Sequence, residues 1–217
     1  MDTLNRMRNS ILNWGNKKMR KFPWRETGDP YRIILAEIFL QRTTVKQVLP
    51  VYTKFILKYP DAESFFKGRV TDIKKMILPL GLRWRAEKLI EMRDYILKNL
   101  NGDFPSSKEE LVKISGIGDY TAGAVRMCAF GIPDTPLDTN TVRITGRFFG
   151  LEIKDTSRRD ERFRKGLYLL IHPDEPRKSF YALVDIGSTV CIKKRPFCKK
   201  CPIKNWCKFN CVVNKPS

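Results

Sequence analysis

The chain is short of the residues that several common chemistries need. Its 217 residues include one histidine, His172, beside Pro173-Asp174, which reads as a solvated loop residue. A Ser-His-Asp or Cys-His mechanism is therefore not expected, and catalysis has to use carboxylates, Tyr or Lys. No run approaches the ~18 consecutive apolar residues of a membrane-spanning helix, and no signal peptide opens the chain. We expect no membrane partner and a cytoplasmic location. In that compartment the six cysteines do not read as three disulfides. Fixed-period repeats, low-complexity tracts and convincing strand alternation are all missing. An all-α fold is expected.

Acidic residues are also scarce. Asp plus Glu number 23 against 42 Lys plus Arg, a net charge of +19. That balance suits a polyanion, and a hydrophobic content of 42% suits a folded protein with a core. The length allows one large domain or two small ones. From 191 to 217 there are eight Lys or Arg and no Asp or Glu, which reads either as a solvated terminus or as a loop turned toward phosphates.

Helical stripes run along the chain. Leu4, Met7, Ile11 and Trp14 line a basic first helix, and Ile33 to Leu40 is nearly all apolar, as in a buried central helix. Val45, Val48, Leu49, Tyr52, Phe55 and Ile56 continue the pattern, with Pro50 kinking that helix or sitting near its start. Short helices follow near 61–67 and 71–78, then a long amphipathic one over 83–97. Further helices are expected near 158–170 and 177–190.

The most informative stretch runs from Leu111 to Gly150. Leu111 to Ile114 closes a helix, Gly116-Ile117-Gly118 makes a tight turn, and Asp119 stands at an N-cap position before a second helix through Ala122, Val125 and Met127. Such a turn presents backbone N–H groups at a positive helix end, which suits a nucleic-acid phosphate; a plain helical hairpin is the other reading. Twenty residues after Gly118, Asp138 precedes another helix from Thr141 to Phe149. An Asp there is either a structural cap or a carboxylate facing a phosphate-lined cleft.

Cys191, Cys198, Cys201 and Cys207 are spaced C-x6-C-x2-C-x5-C. Four thiolates so close in sequence can enclose a metal centre. The single close pair fits an iron–sulfur cluster better than zinc, whose sites usually show two pairs. Cys128 reads as a buried helix residue, and Cys211 falls just past the loop.

The hairpin followed by Asp138 resembles the helix-hairpin-helix plus Gly/Pro-Asp motif of the endonuclease III superfamily of DNA glycosylases, and the cysteine spacing is similar to that superfamily's [4Fe-4S] loop. The resemblance covers nearly the whole chain. It implies a six-helix barrel over 25–133 carrying the helix-hairpin-helix at about 111–130, and a second domain of 1–24 plus 134–217 with the cluster. It implies a DNA cleft between the two, phosphate contacts at Gly116 and Gly118, catalysis by Asp138, and cluster ligation by Cys191, Cys198, Cys201 and Cys207. Bifunctional relatives carry a Schiff-base Lys where this chain has Tyr120, and a phenol cannot form that adduct. A monofunctional glycosylase is implied.

Glu37-Ile38-Phe39-Leu40-Gln41-Arg42-Thr43-Thr44 resembles the mismatch branch of the superfamily. Glu37 matches its pocket acid. Gln41 matches the side chain pushed into the gap left by a flipped base, and Leu82 matches a second wedge. Arg42 and Asn140 are placed among the DNA contacts. Arg42-Thr43-Thr44 and Asp138-Thr139-Asn140 look more like thymine-mismatch enzymes than adenine-mismatch enzymes, which commonly have a second Gln and a Gly at the positions of Arg42 and Thr139. The chain also ends ten residues after Cys207, without the extra domain adenine enzymes use to read 8-oxoguanine. Against this, Gly81 to Leu89 has the loop length of the adenine enzymes. The expectation is a monomeric, nucleoid-associated glycosylase that removes thymine or uracil opposite guanine in double-stranded DNA. The alternatives are an adenine glycosylase acting opposite guanine or 8-oxoguanine, and a non-catalytic helix-hairpin-helix DNA-binding protein.

Overall fold

The computed structural model describes residues 3–81 and 83–213, with backbone alone at 211–213. Among these residues there is no strand. The α-helices are α1 (Thr3–Lys18), α2 (Pro30–Leu40), α3 (Val45–Lys58), α4 (Ala62–Phe66), α5 (Val70–Ile77), α6 (Trp84–Asn99), α7 (Lys108–Leu111), α8 (Asp119–Ala129), α9 (Thr139–Phe149), α10 (Glu161–Leu170), α11 (Pro176–Thr189) and α12 (Lys208–Val213). Short 3-10 turns join several of them. None of the described helices is long and apolar enough to cross a membrane. Two compact units result: Lys21–Phe130, and Met1–Arg20 together with Gly131–Ser217.

In the unit Lys21–Phe130, α2 is the central helix. Tyr31, Ile33, Ile34, Leu35, Ala36, Ile38 and Phe39 are all buried on it, so it needs neighbours on several sides. Asp29 starts it by accepting the Tyr31 N–H at 2.9 Å, with Pro30 at the first helical position. It packs on α3 and α8. The α8 residues from Thr121 to Val125 are small and all buried, so the bulkier α2 can come close. Phe39 meets Phe55 and Tyr52 edge-on, with ring centroids 5.5 and 6.4 Å apart; each fully buried side chain of this size contributes about 1.5–3 kcal/mol. Pro50 lies inside α3 and is exposed, so the carbonyl its missing N–H leaves unbonded has access to water.

The other unit is built from both chain segments. Helix α1 packs on α11, and α9 packs on α10, α11 and α12. Met7 and Ile11 supply the buried face of α1. At its end Arg20 donates from its backbone N–H at 2.8 Å and from Nε at 2.9 Å to Asp185 of α11, whose side chain is buried. Removing Arg20 would leave the buried Asp185 carboxylate short of hydrogen-bond donors, a cost of about 1–3 kcal/mol. His172 is not the solvated residue its loop context suggests. Its side chain is only 18% exposed, and its Nδ1 accepts the Asp174 N–H at 3.2 Å.

Candidate active site

The hairpin differs from the sequence reading in detail. Helix α7 ends at Leu111, and residues 112–116 form turns rather than helix. Ile114 and Ile117 are buried beneath the turn. Gly116 has φ +84°, a conformation costly to residues with a Cβ. Gly118 does not: its φ is −92° with ψ −179°, and it, not Asp119, is the N-cap of α8. Asp119 is the first helical residue and pairs with Lys108 across the hairpin at 3.1 Å. An acid in the first turn also complements the helix dipole. A Cβ added at Gly118 would meet no atom within 4 Å, so this glycine is not required by the protein's own packing. Tyr120, second in α8, is half-buried.

Helix α6 latches the turn from one side. Lys88 Nζ donates to Ser115 Oγ at 3.1 Å and to Glu91 Oε2 at 2.8 Å, and the Ser115 hydroxyl also donates to Glu91. Lys88 and Ser115 hold Glu91 below the usual carboxylate range. Gln41, at the end of α2, reaches the turn from another element: its Nε2 donates to the Gly116 carbonyl at 3.0 Å. Arg42 follows at φ +56° and is exposed. Glu37 lies one turn earlier on α2, half-buried between Ala36 and Ile38. Leu82 lies outside the described residues.

In the other unit Asp138 is the N-cap of α9. Its Oδ1 accepts the N–H groups of Asn140 at 2.9 Å and Thr141 at 2.7 Å, and its own N–H donates to Thr141 Oγ1 at 2.8 Å. This reciprocal cap satisfies first-turn donors that the helix cannot. Among the described residues Oδ2 takes only the Asn140 side-chain amide, at 3.0 Å. The carboxylate is therefore fixed by Oδ1 and keeps lone pairs on Oδ2. Asn140 Oδ1 accepts from Arg143 Nη2 at 2.8 Å, and Arg143 Nε donates to the Cys191 carbonyl at 2.6 Å. Burial pulls the Arg143 pKa down, while Cys191 and Asp138 act against that and Arg147 adds to it. Gly187 makes the close approach of α9 to α11 possible: a Cβ there would lie 2.6 Å from Asn140 Cβ.

The four cysteines that sequence spacing singled out line one hollow, together with Arg147 and Phe209. Arg147 Nη1 approaches Cys191 Sγ at 3.4 Å, and its Nη1 and Nη2 donate to the carbonyls of Ile192 and Lys193 at 2.7 and 2.8 Å. The Cys207 thiol donates to the Arg147 carbonyl at 3.6 Å. Burial pushes the Cys201 thiol up to about 11. Among the described residues no three His, Cys, Asp or Glu side chains are grouped to hold a single metal ion.

Sequence reasoning passed over Arg85, Arg143 and Arg147. Arg85 carried a readable signal. It stands in register with Leu89, Met92 and Ile96, all buried on α6, so a cation occupies a core position of an amphipathic helix.

The family described as "HhH-GPD superfamily base excision DNA repair protein" matches residues 35–168. The thymine-DNA glycosylase of Aeropyrum pernix is 32% identical, over 93% of this chain and 92% of its own. The thymine/uracil-DNA glycosylase of Pyrobaculum aerophilum is 33% identical, over 92% and 89%. The adenine DNA glycosylase of Buchnera aphidicola subsp. Baizongia pistaciae is 33% identical, over 95% of this chain but 61% of its own. The structure of a thermostable thymine-DNA glycosylase superposes with a TM-score of 0.87 at 31% identity, covering 97% of this chain and all of that one. The chain belongs to the HhH-GPD superfamily of base excision DNA repair proteins, enzymes that act on the N-glycosidic bonds of DNA.

Proposed function

We propose that this enzyme removes thymine or uracil mispaired with guanine by hydrolysis, leaving the strand uncut. The observation that carries the reading is the match along nearly the full length of thymine and thymine/uracil glycosylases, with the structural likeness to one of them. The chemistry follows from the residues. A base leaves the stack at a cost of about a few kcal/mol, smallest at a mismatch. Positive charge then grows on the sugar as the glycosidic bond breaks. The free lone pairs on Asp138 Oδ2 stabilise that charge, and the α9 cap keeps the carboxylate from moving as it forms. Tyr120 stands where a Schiff-base lysine would be needed for strand cleavage. Glu37 accepts a hydrogen bond from thymine N3–H, Gln41 fills the vacated space with Leu82, and Arg42 and Asn140 contact the strand.

Cys191, Cys198, Cys201 and Cys207 are assigned as ligands of a [4Fe-4S] cluster. A zinc ion needs its donors about 2.0–2.3 Å from one point. Four thiols that line one hollow without grouping around a single ion would suit a larger group bridged by its own sulfides. When bound, the cluster braces the loop that carries Lys193, Lys194, Arg195, Lys199 and Lys200. Arg147 and the backbone carbonyls it holds keep that loop against α9.

The test is a panel of mismatched duplexes under single-turnover conditions, read after alkaline cleavage. Thymine or uracil should leave G·T and G·U at least about tenfold faster than adenine leaves A·G or A·8-oxoguanine. Without alkali the strand should stay intact. Faster loss of adenine would make this an adenine glycosylase instead, a reading the adenine relative keeps alive.

The two hairpin glycines should separate cleanly. Gly116→Ala puts a Cβ at positive φ and 3.3 Å from Lys88 Cβ, a loss of about 1–2 kcal/mol in stability. Gly118→Ala has open space, so stability should hold within about 1 kcal/mol. If a phosphate sits over the α8 N-terminus, duplex affinity should nevertheless fall about tenfold. Urea melts and DNA titrations of both variants decide this. Unchanged affinity in Gly118→Ala would remove the phosphate assignment.

A further inference from the structure

We infer that Arg85 is a positioning residue that fixes, from inside the core, the end of α2 from which Gln41 enters the DNA stack. It rests on the reading of Gln41 given above. The Arg85 residue is fully buried. Its Nε donates to the Ile38 carbonyl at 3.1 Å, its Nη1 to the Leu80 and Gly81 carbonyls at 3.1 and 3.2 Å, and its Nη2 to the Gln41 carbonyl at 2.5 Å and Thr43 Oγ1 at 2.8 Å. All the N–H donors of a guanidinium are thereby matched. Four of the acceptors are carbonyls at the end of α2 or in the turn after α5, where a helix leaves its last carbonyls short of partners, and the fifth is the Thr43 hydroxyl just past α2. The negative end of each helix dipole also favours a cation there.

Among the described residues no carboxylate is a partner of Arg85; its acceptors are neutral. Burying a cation in this way is unfavourable relative to an apolar side chain. What the cation adds is geometry. A guanidinium is planar and rigid, so five bonds fix two backbone segments relative to each other. Arg42 holds a conformation costly to a residue with a Cβ, at φ +56°, whereas Gly81 at φ +69° with ψ −173° adopts one that glycine takes readily. A non-glycine residue in such a region persists only where the surroundings over-determine it. Gln41 is held a second time, through Nε2, by the Gly116 carbonyl. One buried side chain thus sets the approach of Gln41. Pushing a side chain into a gap in stacked DNA requires that it not yield, and a fixed base supplies that resistance.

The experiment measures preference for a gap, with no base to excise. The probes are a duplex carrying a stable abasic analogue opposite guanine, and the matched duplex. Arg85→Lys keeps the charge and loses the fork. It should lower the preference for the abasic duplex at least about tenfold, while matched-duplex affinity stays within about twofold. Gln41→Ala should lose a similar factor, and the double variant should lose little more than either alone, since the two act through one contact. Additive losses, or a preference unchanged in Arg85→Lys, would overturn the inference. Thr43→Val removes one acceptor and keeps the core volume; it should lower the preference about threefold, and it decides the matter if Arg85→Lys fails to fold. If Gln41→Ala keeps full preference, the reading of Gln41 fails and this inference falls with it. An error about the excised base shows only in the mismatch panel, because no glycosidic bond is present here.

Discussion

Asp138→Asn should lower the single-turnover rate of base excision at least about a hundredfold while duplex affinity stays within about tenfold. The magnitude is that of losing one preorganised electrostatic group at a developing charge, about 3–4 kcal/mol. The substitution keeps shape and most of the cap. An amide oxygen can still accept the Asn140 and Thr141 N–H groups that Oδ1 takes at 2.9 and 2.7 Å. What changes is the other side: an NH2 replaces Oδ2 and faces the Asn140 side-chain amide, 3.0 Å away in wild type. Two donors then oppose each other, a cost of about 1–3 kcal/mol in stability. The experiment is quenched excision of the preferred base in enzyme excess, with a binding titration and a urea melt in parallel. Full activity in the variant would mean that another group carries the chemistry. Loss of binding as large as the loss of rate would mean that Asp138 serves only to build the fold.

Cys198→Ala should remove the cluster. Wild-type protein purified without oxygen should be yellow-brown, with about four irons per chain; the variant should be nearly colourless. The four cysteines line one hollow, and the surrounding loop has only short 3-10 turns. Much of its order then depends on the ligand bonds. A loss of several kcal/mol corresponds to a Tm lower by roughly 10 °C, at about 2–4 °C per kcal/mol for a chain of this length. Iron analysis, the visible spectrum and a thermal melt are the readouts. Stoichiometric zinc and no iron in the wild type would replace the cluster with a mononuclear site.

Much of the fold could be read from periodicity alone. The apolar run of α2, the stripe of α1 and the Gly116 turn each declare themselves through residue type. Sequence could not say which stripes meet. The face of α1 carrying Met7 and Ile11 needs a partner, but nothing local names α11 as that partner. Ends of elements were harder still. Asp119 looks like an N-cap because Asp is favoured there, yet Gly118 holds the position, and the Asp119 carboxylate is drawn instead to Lys108. Of the candidate site, Asp138 and the cysteines stood out by spacing. Arg85 and Arg143 did not, because most of their partners are backbone carbonyls. A carbonyl is present at every residue and leaves no mark in a sequence; only a cation in register with Leu89, Met92 and Ile96 hinted at the first of them.

The pairing of α1 with α11 also bears on how the protein is made. Arg20 and Asp185 are 165 residues apart in sequence, so α1 leaves the ribosome long before its partner exists. At synthesis rates of about 5–20 residues per second, the wait is on the order of 10–30 s. During that time the Lys21–Phe130 unit is complete in sequence and free to collapse on α2. Helix α1 meanwhile waits with Met7 and Ile11 bare. Its Arg6, Arg8, Lys17 and Lys18 keep it soluble, and the last unit to close is the one that carries Asp138.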